Sequence, residues 1–258
     1  MIHFSIITVT FNAADVVEDT LDSVYRQNYP YIEHIIVDGA STDLTLSRCE
    51  QYRERCELKD SDHKVIIVSE PDKGLYDAMN KGLKLATGDY VVFINAGDKL
   101  PQVDTLDCIA NCVGEGEPLP AVLYGDTDII DKNGKVLRHR RFAAPKHLSW
   151  RSFRHGMLVC HQAFYARTDI ARETPYNLNY RYSSDVDWCI RIMKKGRKLH
   201  LPLRNVQNII AHFLEGGTSI ENHRESLKER FRVMSKHYGV LSTVAMHAWF
   251  TIRAVLKR

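Results

Sequence analysis

What this 258-residue chain lacks narrows its function first. No Gly-x-Gly-x-x-Gly follows the first strand-like segment and no Gly-x-x-x-x-Gly-Lys-Ser/Thr occurs anywhere, which argues against dinucleotide oxidoreductases and phosphate-loop ATPases. No apolar run reaches the length of a membrane span, and Met1-Ile2-His3 leads directly into a strand with no signal-peptide pattern, so a cytoplasmic protein is expected. The six cysteines show no Cys-x-x-Cys spacing, which points to reduced, structural thiols. The net charge is only +3, from 35 basic and 32 acidic residues, so nothing indicates a nucleic-acid binder.

What is present is a repeating alternation. Apolar, strand-like segments Phe4–Thr10, Ile32–Val37, Val65–Ser69 and Tyr90–Ile94 are separated by helical patterns. The first helix carries Val16, Val17, Leu21, Val24 and Tyr25 on one face with Asp15 as a candidate cap, and the second runs from Leu44 to about Cys56. In the third, Leu75, Met79, Leu83 and Ala86 recur near helical spacing. Strand-helix alternation with right-handed crossovers predicts an α/β fold, a mostly parallel, doubly wound sheet with helices on both faces. Ligands of such sheets bind at the carboxyl ends of the strands. Four polar tips share that edge here: Thr10-Phe11-Asn12, Asp38 to Asp43, Glu70 to Gly74, and Asn95-Ala96-Gly97-Asp98.

The segments Ser5-Ile-Ile-Thr-Val-Thr-Phe-Asn12, Ser23-Val-Tyr-Arg-Gln-Asn-Tyr-Pro30, Glu33-His-Ile-Ile-Val-Asp-Gly-Ala-Ser-Thr-Asp43 and Ser69 to Asp98 together resemble the family 2 glycosyltransferases of the GT-A fold, especially small bacterial enzymes of surface polysaccharide synthesis. Beyond residue 100 the resemblance is carried by Tyr124-Gly125-Asp126, His161-Gln162 and Ser184-Asp-Val-Asp-Trp-Cys-Ile-Arg191, and it fades after His212. It implies a catalytic domain over residues 1–215, with a nucleotide-binding half (1–100) and an acceptor half (101–215), followed by a helical extension over 216–258. The implied reaction is inverting transfer of a sugar from a nucleotide-diphosphate donor, a UDP-sugar by preference, to a hydroxyl of a glycan acceptor, lipid-linked in the favoured reading. By the same resemblance Thr8, Phe11, Asn12 and Asp38 surround base and ribose. Asp72, Lys73 and Lys81 lie near the nucleotide, with either lysine able to meet the diphosphate as a point charge. Asp98 and His212 would hold Mg2+ or Mn2+. Asp185 would take the acceptor proton, with Asp187 the alternate base. Asn95, Gly97, Asp126, His161, Gln162 and Trp188 would border donor sugar and acceptor. Where relatives place further carboxylates, this chain has Asn95 and Gly97, which thins the metal motif.

After Gly216-Gly217 come a charged helix pattern, Ile220 to Tyr238, and a more apolar one, Leu241 to Arg258, with Trp249, Phe250, Ile252, Val255 and Leu256 beside Arg253, Lys257 and Arg258. The second is a candidate for peripheral contact with the inner membrane face, or for docking on the catalytic domain or a second subunit. Two other readings stay open: a sugar-nucleotide nucleotidyltransferase, and a non-catalytic assembly partner that binds a nucleotide sugar.

Overall fold

The computed structural model describes residues 1–58, 63–114, 118–216 and 222–256. Four βα units open the chain: β1 (Phe4–Thr10), α1 (Ala14–Tyr25), β2 (Ile32–Asp38), α2 (Thr45–Glu57), β3 (Lys64–Ser69), α3 (Leu75–Leu85), β4 (Tyr90–Phe93) and α4 (Thr105–Asn111). β1, β2 and β4 are buried along their whole length, which is why they read as almost unbroken apolar runs. β1 pairs in parallel with β2 and β4, and β2 pairs in parallel with β3.

The second half adds β5 (Val122–Ile130), β6 (Val136–His139), β7 (Phe164–Arg167), α5 (Thr168–Arg172), α6 (Ser184–Lys198) and β8 (Leu203–Leu214). The strand order is β3-β2-β1-β4-β7-β5-β6, with β8 paired to β5. β7 runs antiparallel to both β4 and β5, so the sheet is mixed and its parallel winding ends at β4. α6 seals the core there. Trp188 is fully buried, stacked on Tyr176 at 4.9 Å and met edge-on by Phe93 and Phe164.

Two details fix the loops of the carboxyl edge. Asp15 does not cap α1; Asp43, from the loop after β2, accepts the Ala14 N–H, and Thr45 Oγ1 accepts that of Ala13. The first two loops are thereby joined. Thr20 of α1 donates to the Asp98 carbonyl and accepts the Gly97 N–H, holding the turn after β4.

The extension forms α7 (His223–Tyr238) and α8 (Val240–Leu256). α7 docks on α6. Its His237 Nδ1 faces Lys194 Nζ, which can only donate, so Nε2 carries the hydrogen and gives it to Asp187 at 2.8 Å. Tyr238 stacks on Trp150, with ring planes 3° apart. α8 exposes Leu241, Val244, Trp249 and Ile252. Among the described residues no helix is long and apolar enough to cross a membrane. Residues 217–221, the side chains of Arg253, Val255 and Leu256, and all of Lys257 and Arg258 lie outside the described residues.

Candidate active site

Five residues from three separate segments meet at the carboxyl edge next to β4. The turn after β4 brings Asn95 and Asp98; the 3-10 turn His161–Ala163 brings His161 and Gln162; and the first turn of α6 brings Asp185. Gln162 Nε2 donates to Asp98 Oδ2 at 2.8 Å, and the Leu214 N–H donates to Oδ1 at 3.0 Å. His161 Nε2 lies 3.4 Å from Asn95 Nδ2, and its Nδ1 lies 3.5 Å from Asp185 Oδ2. Neighbouring residues His161 and Gln162 therefore bridge the two aspartates, one each.

The two carboxyls differ in proton affinity because their surroundings differ. Burial pushes Asp98 up to about 6, against the opposing pull of Gln162, the Leu214 N–H and the His161 charge. For Asp185 burial pushes in the same direction, but the His161 hydrogen bond and charge, the Arg230 charge and the Val186 N–H outweigh it and hold the carboxyl below its ordinary value. Tyr76, on α3, adds its hydroxyl to Asp185 Oδ1 at 3.3 Å, and burial pushes that phenol upward, so it stays a donor. Asp185 keeps about a fifth of its side chain, 18%, open. An ionised, partly open carboxylate can accept a proton from a bound hydroxyl.

Farther along the edge Phe11, Gly39 and Asp72 are in contact. A Cβ on Gly39 would fall 2.6 Å from Asp72 Oδ2 and 3.2 Å from the Phe11 ring, so the missing side chain lets the carboxylate lean over the backbone. Phe11 is 62% exposed, an open ring face at the strand tip. Asn12 stays exposed as well, with Oδ1 accepting the Thr42 N–H. Lys73 projects into solvent from the next loop.

Several residues expected here serve other contacts. Thr8 is fully buried inside β1, bonded to His34 Nε2 and the Ile94 carbonyl, because side chains alternate across the sheet and its turn faces α2. Asp38 is buried too. Ser41 and Ser69 occupy both its oxygens, so it builds the loop rather than facing a ligand. Lys81 is spent on Glu70 and the Pro71 carbonyl, strapping the loop after β3. Asp126 sits within β5 and accepts the Ala144 N–H. Trp188 is core, and Gly97, at φ 97°, packs its open face on Leu214. Asp187 is wholly buried among Arg191, His237 and Lys236, which hold it down to about 2 despite burial, so it has no access to an acceptor.

His212 differs most from expectation. It lies inside β8, which runs to Leu214, and pairs through its backbone with Lys99. Asp98, one residue before Lys99, turns its carboxyl to Gln162 and the Leu214 N–H. His212 instead lines a groove of about 450 Å³ with Asp104, Cys108 and Asp128. Among the described residues no three acidic, histidine or cysteine side chains cluster as a metal site. Mg2+ commonly takes one or two carboxylates and completes its shell with water and substrate phosphates. Asp98 alone fits an ion delivered by a diphosphate, not a preformed cage.

Residues 5–172 match the family model described as Glycosyl transferase family 2. The chain is 36% identical over 215 residues to the PGL/p-HBAD biosynthesis glycosyltransferase of Mycobacterium tuberculosis, covering 83% of this chain and 77% of that protein. It is also 40% identical over 95 residues to the putative teichuronic acid biosynthesis glycosyltransferase TuaG of Bacillus subtilis, 37% of this chain and 36% of that one. Among solved structures, S. aureus TarS 1-349 superimposes with a TM-score of 0.68 at 19% identity, over 96% of this chain and 72% of that one. The mannosyltransferase PcManGT from Pyrobaculum calidifontis, solved with GDP-Man and Mn2+, does so with a TM-score of 0.65 at 17% identity, over 97% and 75%. These neighbours share the fold, which is GT-A.

Proposed function

Because the chain belongs to the family 2 glycosyltransferases, we propose that it moves a sugar, with inversion, from a nucleoside-diphosphate sugar to a hydroxyl of a cell-surface glycan acceptor, with Asp185 as the base. The observation that carries this reading is the ionised, partly open Asp185, oriented by His161, Tyr76 and the Val186 N–H. The acceptor oxygen attacks the anomeric carbon as Asp185 takes its proton, and the nucleoside diphosphate leaves from the opposite face. One displacement inverts the anomeric configuration. No second open carboxylate stands beside Asp185 among the described residues to form a covalent intermediate, since Asp98 is held by Gln162 and Leu214 and Asp187 is buried.

A uridine donor is favoured by a neighbour of the same fold, TarS, solved with UDP-GlcNAc, and a lipid-linked acceptor by the relative named for PGL/p-HBAD biosynthesis. A Mg2+ or Mn2+ ion belongs to this reading. Asp98 would hold it once Gln162 releases an oxygen, and its role would be to neutralise charge on the departing diphosphate. The exposed apolar stripe of α8 supports peripheral contact with the inner membrane face, tested by sedimenting the chain with anionic vesicles before and after replacing Leu241 and Trp249 by Glu.

The deciding experiment incubates wild type and Asp185→Asn with UDP-, GDP- and dTDP-sugars, acceptor and Mn2+, and follows nucleoside diphosphate. Loss of a general base lowers turnover about 10²- to 10⁴-fold. Turnover within a few-fold of wild type removes Asp185 from the role, and pyrophosphate in place of nucleoside diphosphate identifies a nucleotidyltransferase. The anomeric configuration of the product, read by NMR, tests inversion.

A further inference from the structure

α7 reaches the same cleft from outside the stretch that matches the family. Ser226, Arg230, Val233, Met234 and His237 recur at helical spacing on the side that packs against α6; Ser226, Val233 and Met234 are buried. Ser183 Oγ donates to the Ser226 carbonyl at 3.3 Å. One residue before Arg230, the Glu229 carboxylate accepts three consecutive backbone N–H groups, those of Arg181, Tyr182 and Ser183, at 2.8, 2.6 and 3.1 Å. This clamp fixes the segment that runs into Asp185.

Arg230 itself is left without a partner. Its Nε is buried with no hydrogen-bond partner, and among the described residues the guanidinium makes no ion pair. Ser226 meets Ser183 and His237 meets Asp187, so Arg230, between them on the same face of α7, lies opposite the first turn of α6, and its charge is felt at Asp185. A guanidinium with free donors next to a substrate site suits an oxyanion, because its planar fork matches phosphate geometry. Other cations proposed for the diphosphate are less available: Lys81 is neutralised by Glu70, and Lys73 is solvated on the loop after β3.

We propose that Arg230 is a phosphate-binding residue of the catalytic cleft, carried there by the docking of α7 on α6. The phosphate is the diphosphate of the donor or a phosphate borne by a lipid-linked acceptor. This rests on the transferase reading above and adds a binding residue to the same site.

The test titrates the full chain, as wild type, Arg230→Gln and Arg230→Lys, calorimetrically with UDP and with uridine, after thermal unfolding confirms that each variant is folded. A charge-assisted bond contributes about 1.5–3 kcal/mol, so Arg230→Gln should lose about tenfold or more of the preference for UDP over uridine, with uridine affinity unchanged and Arg230→Lys between the two. That result assigns the donor diphosphate. If the UDP to uridine ratio holds but the KM for a phosphate-bearing lipid acceptor rises about tenfold relative to its dephosphorylated form, the acceptor phosphate is the ligand. If neither ratio moves, Arg230 binds no substrate phosphate, while the transferase reading stands on Asp185. If wild type neither prefers UDP to uridine nor releases nucleoside diphosphate, the transferase reading fails and this assignment with it.

Discussion

Replacing Asp98 by Asn should stabilise the folded protein at neutral pH while lowering transfer. The carboxyl is only 4% exposed, and burial raises it from an ordinary 3.8 to about 6. A carboxyl with a raised folded value binds its proton more tightly folded than unfolded. Its stabilising contribution is therefore complete below about pH 4 and is lost as pH rises through 6. Two pKa units at 1.36 kcal/mol each make the loss about 3 kcal/mol by pH 7.5. Asparagine keeps the geometry: its Oδ1 still accepts the Leu214 N–H, and Gln162, turned over, offers Oε1 to the new amide at the expense of its contact with the Cys160 thiol. Urea unfolding followed by circular dichroism from pH 4.5 to 8 reads the effect as a difference between the two proteins, which cancels every other titrating group. Wild type should fall behind the variant by 1 to 3 kcal/mol, in order of magnitude, across that range. Parallel curves would mean that Asp98 is not a strained, buried charge, and its assignment to the site would lose its physical basis. A site that keeps such a charge gives up stability for activity.

Gly39→Ala places a methyl 2.6 Å from Asp72 Oδ2, so the carboxylate must swing away; nucleotide affinity should drop about tenfold with the unfolding midpoint nearly unchanged, read by titration with UDP. His237→Ala removes one of three partners from buried Asp187 and should lower stability by about 1–3 kcal/mol, measured in urea at pH 7. Asp187 is held down to about 2, so its own contribution, about 2 kcal/mol, is present above pH 4 and disappears as pH falls through 2; the variant should show a smaller acid loss. Glu229→Gln weakens the clamp on residues 181–183, and hydrogen exchange at those amides should quicken while exchange in β1 stays as in wild type.

Much of the first half was legible because its signals are local. Apolar runs of strand length, helical spacing and polar tips fix β1 to β4 and their edge without any long-range knowledge, and they brought Phe11, Asn12 and Asp72 to one place. Side-chain direction was harder to read. Thr8 lies in a tip motif, yet the two-residue alternation of β1 turns it inward, and Asp38 is consumed by Ser41 and Ser69, one a loop neighbour and one on another strand. His212 pairs through its backbone with Lys99 and lines a groove with Asp104 and Asp128, a long-range register that no local pattern encodes. Gly39 stood within a quoted motif but carried no sign that its missing side chain makes room for Asp72.

By itself the sequence determined the parallel winding of β1 to β4 and the family, and it singled out Asp98 and Asp185, since these depend on short-range pattern and on motifs that stay intact when read in one dimension. Only the tertiary structure decided which carboxylates are free. His161 and Gln162 each take one aspartate, Asp187 is committed to α7, and Arg230 arrives 45 residues after Asp185 with no local signal. Charge state and access follow from what packs around a group, and the groups that pack here come from segments far apart in the chain.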